Sequence, residues 1–184
     1  MRRQREKIVP LAQGRVLEVG MGSGLNLAHY RPGAVKQLVG VDPSAPMTRR
    51  ALRAARAVSF PVALVHAAAD RMPLASRSMD CAVLTYTLCS VDDPLRALRE
   101  MARTLRPGGR LYFCEHGLAP DAGVRGWQRR LTPAWRRLAG GCHLDRDVPA
   151  LLRRGGFEIA RLETAYLPGW RPATFNYWGV AEPR

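Results

Sequence analysis

The chain has 184 residues, a formal net charge of +14 and 47% hydrophobic residues. This length suits one domain with a single hydrophobic core, and the longest uncharged apolar run, residues 81–91, is too short for a membrane-spanning helix. The basic N-terminus lacks the apolar stretch of a signal peptide, so a cytoplasmic protein is predicted. The positive charge suggests nucleic acid or an anionic membrane as a partner, but it is carried almost entirely by arginine, which a codon-composition bias also explains.

Short apolar runs alternate with helical stretches along the chain, which predicts an α/β fold with a mainly parallel sheet. A helix is predicted after the fourth strand, where Asp93 can cap the helix and Pro94 suits its first position. A turn is predicted at residues 107–109, and a further helix near residues 147–154 should end at two glycines. The seven predicted strands are residues 15–20, 37–42, 62–66, 79–85, 110–115, 157–166 and 174–181.

The last two predicted strands are joined by a short segment rich in proline and glycine, with no helix between them. They should therefore pair antiparallel at the end of the sheet, since a parallel connection needs a longer crossover. The predicted architecture is a Rossmann-like, mostly parallel sheet of seven strands, with an antiparallel last strand and helices on both faces.

The strongest motif is VLEVGMGSG, in which a strand carrying Glu18 runs into Gly20, Gly22 and Gly24. Glycine allows a ligand to approach the backbone closely where the chain turns sharply, and a helix is expected to follow. The second apolar strand ends in Asp42, about 20 residues after the first glycine. At this distance along the chain a carboxylate accepts hydrogen bonds from the ribose hydroxyls of a bound adenosine cofactor. The two features together predict a cofactor that contains adenosine.

Nicotinamide and flavin cofactors are the alternative to S-adenosylmethionine (SAM). Their GxGxxG/A fingerprint would need glycine or alanine at position 25, where this chain has Leu25. A carboxylate at Glu18 would also repel a pyrophosphate, whereas it suits the ammonium group of SAM. The residues therefore favour SAM.

Further segments extend the pattern: SMDCAV in the fourth strand and LRPGG before the fifth. Together with the ExGxGxG run, they resemble class I SAM-dependent methyltransferases over nearly the whole chain. TYTLCSVDDP, YFCEHG and LTPAWRRLAGGCHLDR are more closely similar to small bacterial relatives of the animal alkyl-thiol methyltransferases, and the chain more distantly resembles bacterial phosphatidylethanolamine N-methyltransferases. The resemblance implies a single methyltransferase domain over residues 1–184 with a substrate cap at 118–146. The cofactor contacts that it implies are Glu18, Gly20, Gly22, Gly24, Asp42, Pro43, Ala69, Asp70 and Thr85.

The chain departs from the family pattern at two places. The family commonly has an acidic residue near the adenine amine, where this chain reads AAADRMP and places Ala68. The backbone of Ala69 and the carboxylate of Asp70 are therefore predicted to contact adenine. Few residues precede Val16, so only a short part of the N-terminal helix that covers the cofactor in the family is expected.

Catalysis with SAM consists mainly of aligning a nucleophile with the methyl group and excluding water. A thiol acceptor reacts as its thiolate, so a base near the ends of the fourth and fifth strands would help. His116 is the first candidate for this catalytic role and His143 the second, with structural packing as the alternative for each. The spacing of Cys89, Cys142 and His143 is not that of a zinc site, so no metal is predicted.

The predicted cap has tryptophan and leucine at helical spacing, although Pro133 should interrupt or restart the helix. Arginines fill the positions between them, and they form either a solvated face or a face for weak contact with a membrane surface. The residues predicted to bind the acceptor are Tyr86, Trp127, Trp135, His143 and Trp170.

The combined prediction is a SAM-dependent methyltransferase with a small apolar or amphiphilic acceptor, a thiol being favoured over a lipid amine such as that of phosphatidylethanolamine. A nucleic-acid methyltransferase is a rival suggested by the charge, but residues 85–88 read TYTL in place of the NPPY-type run that holds a flipped base. Nucleic acid is therefore disfavoured as a partner. A non-catalytic SAM-binding module is the other rival.

Overall fold

The computed structural model describes residues 2–184 and contains one seven-stranded sheet in the order β3-β2-β1-β4-β5-β7-β6. Strands β1 to β5 run parallel, and β7 lies antiparallel between β5 and β6. The predicted antiparallel pair at the end of the sheet is thus confirmed. The strands are β1 (Gly14–Val19), β2 (Val35–Val41), β3 (Val62–Val65), β4 (Met79–Thr85), β5 (Leu105–His116), β6 (Phe157–Tyr166) and β7 (Phe175–Pro183).

Helices cover both faces of this sheet, as the alternation of apolar runs predicts. They are α1 (Arg2–Ile8), α2 (Ala45–Ala55), α3 (Pro94–Thr104), α4 (Ala122–Leu138) and α5 (Val148–Arg154). The predicted cap of α3 is present, since the Asp93 side chain accepts a hydrogen bond from the backbone N–H of Arg96 at 2.9 Å. Asp147 caps α5 in the same way through Ala150.

Successive residues of each buried strand point to opposite faces, so the sheet separates two apolar cores. On one face, Leu17 and Phe113 pack with Leu98 and Met101 of α3. On the other face, Val16 and Leu38 pack with residues of α1 and α2. Burial of every central strand on both sides fixes the C-terminal ends of β1, β2, β4 and β5 along one edge, where ligands of open parallel sheets bind.

Two local predictions are wrong. The glycine loop (residues 20–24) is followed by a single 3-10 turn, Leu27–His29, where an α-helix was expected. The side chains of Asn26 and Tyr30 turn inward to bind Glu18, and these buried contacts hold the segment in an irregular path.

The second correction concerns α4, which continues through Pro133. Proline removes one backbone donor, but the side chain of Gln128 is buried and bonds to the backbone of Gly117, Ala119 and Pro172. The hydroxyl of Thr132 also donates to the Gln128 carbonyl at 2.7 Å. These contacts outweigh the loss of one helical hydrogen bond.

The predicted turn at residues 107–109 lies within the first part of β5, where Gly108 adopts a φ of 76°. Within residues 2–184, none of the helices has the length and apolar character needed to cross a membrane.

Candidate functional site

A cleft of about 630 Å³ opens at the C-terminal edge of β1, β2 and β4, and we call it the cofactor cleft. The segment from Tyr86 to Asp93, which follows β4, forms one wall, and Gly140 closes one side. The predicted site residues that line the cleft are Gly20, Gly22, Asp42, Pro43, Ala69, Asp70 and Tyr86. The fold therefore brings together most of the cofactor contacts expected from the sequence.

Two glycines of the glycine loop have different surroundings. Gly20 adopts a φ of 70°, and a Cβ there would lie 2.2 Å from the hydroxyl oxygen of Thr87. Gly22 adopts a φ of 58°, and a Cβ there would meet no protein atom within 4 Å. Both conformations favour glycine, but Gly20 lets the loop pack closely on the segment after β4, whereas Gly22 borders open space in the cofactor cleft.

Asp42 is held firmly at the end of β2. One carboxylate oxygen accepts a hydrogen bond from the backbone N–H of Gly22 at 2.8 Å, and the other accepts from Ser44 at the same distance. Each carboxylate oxygen has a second acceptor position. The carboxylate is therefore oriented by the loop and retains capacity for ligand hydroxyls.

Glu18 lies below the cleft and is only 1% exposed. Its carboxylate accepts hydrogen bonds from Asn26 at 3.0 Å and from the Tyr30 hydroxyl at 2.7 Å. Burial raises the pKa of Glu18 to about 7, although these hydrogen bonds and the Arg5 charge oppose the shift. The predicted cofactor carboxylate is thus a buried group beside the cleft and does not line it.

Thr85 and Gly24 also lie outside the lining of the cleft. The Thr85 hydroxyl accepts hydrogen bonds from Arg5 at 2.8 Å and from Asn26 at 3.0 Å, which connects α1 to the end of β4. At Gly24, a Cβ would lie 3.3 Å from the Cα of Ala51, so this glycine allows α2 to pack closely. Sequence reasoning missed Arg5 and Asn26, because no spacing rule relates them to Glu18.

Tyr86 connects the cleft to a second group of side chains. Its φ of 53° turns the chain sharply after β4, and its hydroxyl donates to Asn176 at 2.8 Å. The ring lies nearly parallel to the imidazole of His116, with an interplanar angle of 22° and a centroid separation of 6.5 Å. His116, at the end of β5, therefore lies directly behind a wall of the cofactor cleft.

Cys89, His116 and Cys142 form what we call the sulfur–imidazole group. Their Sγ and Nε2 or Nδ1 atoms all lie within 4.8 Å of one another, and Nε2 of His116 is 3.1 Å from the sulfur of Cys142. The indole N–H of Trp135 donates to the same sulfur at 3.3 Å. The sequence predicted His116 as a site residue because it lies at the end of a strand. Cys89 follows the neighbouring strand β4, so its position in the chain could have indicated it in the same way. Nothing in the spacing of Cys142 indicated that it would join them.

The three side chains perturb one another electrostatically. The pKa of Cys142 is lowered by its contact with the Cys89 thiol, and by His116, against the opposing effect of burial. The same contact and burial raise the pKa of Cys89. Burial alone would lower the pKa of His116, but contact with the Cys142 sulfur and the charges of Cys142 and Glu115 shift it upward.

Glu115 supports the loop that carries Cys89. It is fully buried, and one carboxylate oxygen accepts hydrogen bonds from the backbone of Thr87 at 2.7 Å and Leu88 at 3.0 Å. Its other oxygen has no hydrogen-bond partner among residues 2–184. Burial raises the pKa of Glu115 to about 7.

The residues predicted to bind the acceptor lie at two places, an apolar hollow beside α4 and the surroundings of the sulfur–imidazole group. Trp127 and Trp170 are about half exposed and line an apolar hollow of about 690 Å³ beside α4. Trp135 bridges the two places, because its ring lies 5.9 Å from that of Trp170 and its N–H contacts Cys142. His143 lies with its imidazole 3.9 Å from Asp145, while its backbone N–H donates to the Cys89 carbonyl at 2.8 Å.

Comparison with known proteins identifies the family. Residues 17–113 match the Methyltransf_11 model, described as a methyltransferase domain. The chain is a class I SAM-dependent methyltransferase. It is 34% identical to human thiol S-methyltransferase TMT1A, over 91% of this chain and 71% of that protein. It is 33% identical to rat thiol S-methyltransferase TMT1B over 90% of this chain, and the match spans 66% of the rat protein.

Solved structures share the fold at lower identity. A SAM-dependent methyltransferase from Mesorhizobium loti has a TM-score of 0.69 at 25% identity, over 98% of this chain and 95% of that one. The [4+2]-cyclase SpnF has a TM-score of 0.75 at 21% identity, over 99% of this chain and 79% of that one. Because the same fold carries a cyclase, the acceptor must be argued from the site itself.

The residues of the cleft fit SAM. Gly22 leaves free space where a side chain would block a ligand, and Asp42 can accept hydrogen bonds from ribose hydroxyls. The half-buried Asp70 and the buried Ala69 lie on the side of the cleft that follows β3, where adenine is expected.

Proposed function

We propose that this protein transfers a methyl group from SAM to the sulfur of a small apolar thiol. The observation that carries the proposal is the position of the sulfur–imidazole group, which packs through Tyr86 against the wall of the cofactor cleft. The names of the human and rat relatives, both thiol S-methyltransferases, support the same acceptor class.

In this proposal Asp42 binds the ribose hydroxyls, Gly20 and Gly22 admit the cofactor close to the backbone, and Ala69 and Asp70 contact the adenine. Pro43 contributes an apolar contact at the rim of the cleft. Glu18 contributes negative charge beneath the ammonium group, while Thr85 and Gly24 position the glycine loop. SAM supplies a methyl group that its sulfonium already activates, so these residues need to orient the cofactor and exclude water.

The acceptor would enter beside Tyr86, with its sulfur directed toward the ends of β4 and β5. A thiol must lose its proton before it attacks, and His116 and Cys142 are the groups at this position whose contact could favour a thiolate. His143 supports the site through its backbone contact with Cys89. The apolar rings of Trp127, Trp135 and Trp170 would bind the body of the acceptor, as the cap (residues 118–146) was predicted to do.

A comparison of three acceptor classes tests this proposal. The full chain is incubated with methyl-labelled SAM and, in separate reactions, with an alkyl thiol, with phosphatidylethanolamine vesicles and with tRNA. We expect label on the thiol at a much higher kcat/KM than on the other two acceptors. Transfer to the lipid alone or to tRNA alone would contradict thiol S-methylation, and binding of SAM without transfer to any acceptor would favour the non-catalytic module.

A lipid amine is the second candidate, and the apolar hollow beside α4 favours it. Trp127 and Trp170 are exposed there, and several arginines of α4 lie on the same helix. Such a face suits contact with a membrane surface that carries the acceptor. Replacing Trp127 with alanine should then reduce transfer to vesicles while leaving transfer to a short, water-soluble thiol unchanged.

A further inference from the structure

The sulfur–imidazole group has the donor set of a metal site. Two cysteine sulfurs and one imidazole nitrogen are soft to borderline ligands, the type that Zn²⁺ prefers. In a tetrahedral zinc site, bond lengths of about 2.0–2.3 Å place neighbouring ligand atoms roughly 3.5–3.8 Å apart. The three atoms here lie within 4.8 Å of one another, so small side-chain adjustments would accommodate an ion.

The ligands come from three different segments that are fixed independently. Cys89 lies in the loop after β4, whose backbone is bound by Glu115. His116 ends β5 and pairs with Asn176 of β7 in the sheet. Cys142 follows α4, and the backbone bond from His143 to the Cys89 carbonyl joins its loop to the first. A site assembled on such supports is preorganised, which is the usual role of the residues surrounding metal ligands.

Burial of the sulfur–imidazole group also favours a bound metal ion. Cys89 is 4% exposed and His116 is 9% exposed, so water stabilises charge poorly at this position. Zn²⁺ would neutralise two thiolates, and its positive charge would also compensate the buried carboxylate of Glu115, one oxygen of which has no hydrogen-bond partner in the described part of the chain. The group also borders the cofactor cleft through Tyr86, which a purely structural metal site would not require.

We propose that Cys89, His116 and Cys142 bind Zn²⁺, and that the open fourth position of the ion receives the sulfur of the acceptor thiol. Three protein ligands and one exchangeable position are the arrangement of catalytic zinc, whereas structural zinc usually has four protein ligands. The metal site stands on the geometry alone. The role of the fourth position rests on the proposed function.

The ion would take over the deprotonation that the sequence assigns to His116, since His116 is then a ligand. A thiol bound to Zn²⁺ releases its proton to solvent and remains as a thiolate. Its sulfur forms the new bond to the methyl carbon, and the bond from that carbon to the sulfonium sulfur breaks with its electron pair kept by the departing S-adenosylhomocysteine. The methylated thioether, a weaker ligand than the thiolate, then leaves the ion.

Metal binding is tested first, without any reaction. The untagged full chain, reduced with a phosphine that carries no thiol, is titrated with Zn²⁺ against a chromophoric chelator. We expect about one ion per chain. Loss of a residue that only hydrogen-bonds to a metal ligand typically lowers metal affinity roughly 10–100-fold. We expect a larger loss of Zn²⁺ affinity for each of the ligand variants Cys89→Ser, Cys142→Ser and His116→Ala. Cys81→Ser and His66→Ala are matched controls that should leave affinity unchanged, because Cys81 packs in the core on β4 and His66 is exposed after β3. Wild-type protein that binds no Zn²⁺, or variants that bind as well as wild type, would overturn the site.

The fourth position is tested with Co²⁺ in place of Zn²⁺, because a thiolate bound to Co²⁺ gives a charge-transfer band in the near ultraviolet. Adding an alkyl thiol should intensify this band in the wild-type protein and should not do so with an alkyl amine. A spectrum insensitive to the thiol, together with full thiol methylation by metal-free enzyme, would overturn the acceptor role while leaving the proposed function intact. A thiol-sensitive spectrum without thiol methylation would support the metal site and contradict the proposed function.

Discussion

The buried carboxyl of Glu18 makes the stability of the protein depend on pH in a way that one substitution should remove. In the folded chain its pKa is raised to about 7 from an ordinary value of 4.5, mainly because burial disfavours the charged form. Below the ordinary pKa, both the folded and the unfolded chain carry the proton. Between these two pKa values Glu18 is ionised in the unfolded chain and protonated in the folded chain, so the free energy of unfolding falls as the pH rises. Above about pH 7 the loss is complete and the contribution of Glu18 no longer changes.

The size of the effect follows from the difference between pKa values of 4.5 and about 7, at about 1.4 kcal/mol per pKa unit, and amounts to roughly 3–4 kcal/mol. Glu18→Gln keeps groups that can bond to Asn26 and Tyr30 but cannot ionise. The free energy of unfolding of wild type, relative to this variant, should therefore fall by roughly 3–4 kcal/mol between about pH 4.5 and pH 8. The raised pKa of Glu115 acts in both chains and cancels in the difference.

Urea unfolding followed by circular dichroism, in the absence of SAM and at several pH values, measures this difference. Glu158→Gln removes an exposed carboxylate of β6 and serves as the matched control, for which the difference should stay nearly flat. Parallel stability curves for wild type and Glu18→Gln across the whole range would refute a raised pKa for the buried Glu18 carboxyl of the SAM-free protein.

Three further predictions concern the cofactor cleft and the charge. Asp42→Ala should raise the Kd for SAM about tenfold or more, since a hydrogen bond to a charged group contributes roughly 1.5–3 kcal/mol, and an unchanged Kd in calorimetry would exclude Asp42 from the site. Gly22→Val should abolish SAM binding and lower the Tm only through strain at its positive φ. Gly20→Val should lower the Tm further, because its Cβ would also lie 2.2 Å from the Thr87 hydroxyl oxygen. The reverse ranking in Tm would contradict these environments. Binding to duplex DNA, followed by fluorescence anisotropy, should vanish near physiological salt, and tight salt-resistant binding would instead support the nucleic-acid rival.

The sheet could be predicted from the sequence because hydrophobic periodicity and turn residues act locally. The seven strands, the helices α3 and α5, the Asp93 cap of α3 and the antiparallel end of the sheet were all predicted. The two errors, after the glycine loop and at Pro133, occur where buried side-chain contacts override local propensity. Those contacts join residues far apart in the chain, and single-sequence patterns do not register them.

The candidate site divides in the same way. Gly20, Gly22 and Asp42 were predicted because the distance along the chain from a glycine loop after one strand to the end of the next strand is nearly fixed, and all three line the cofactor cleft. Of the sulfur–imidazole group only His116 was predicted, because Cys89 and Cys142 lie in two loops that are brought to the end of β5 by the topology of this fold. The sequence also placed Trp127 and Trp135 at one surface, whereas the geometry of α4 directs Trp135 toward Cys142 and leaves Trp127 exposed.

Thiol S-methylation is tested by locating the transferred methyl group on an acceptor that offers both a thiol and an amine. A short amphiphile carrying one thiol and one primary amine is incubated with the full chain and methyl-labelled SAM, and the product is fragmented in a mass spectrometer. We predict methylation on sulfur, with the amine left free. A product methylated on nitrogen, with its thiol intact, would contradict it.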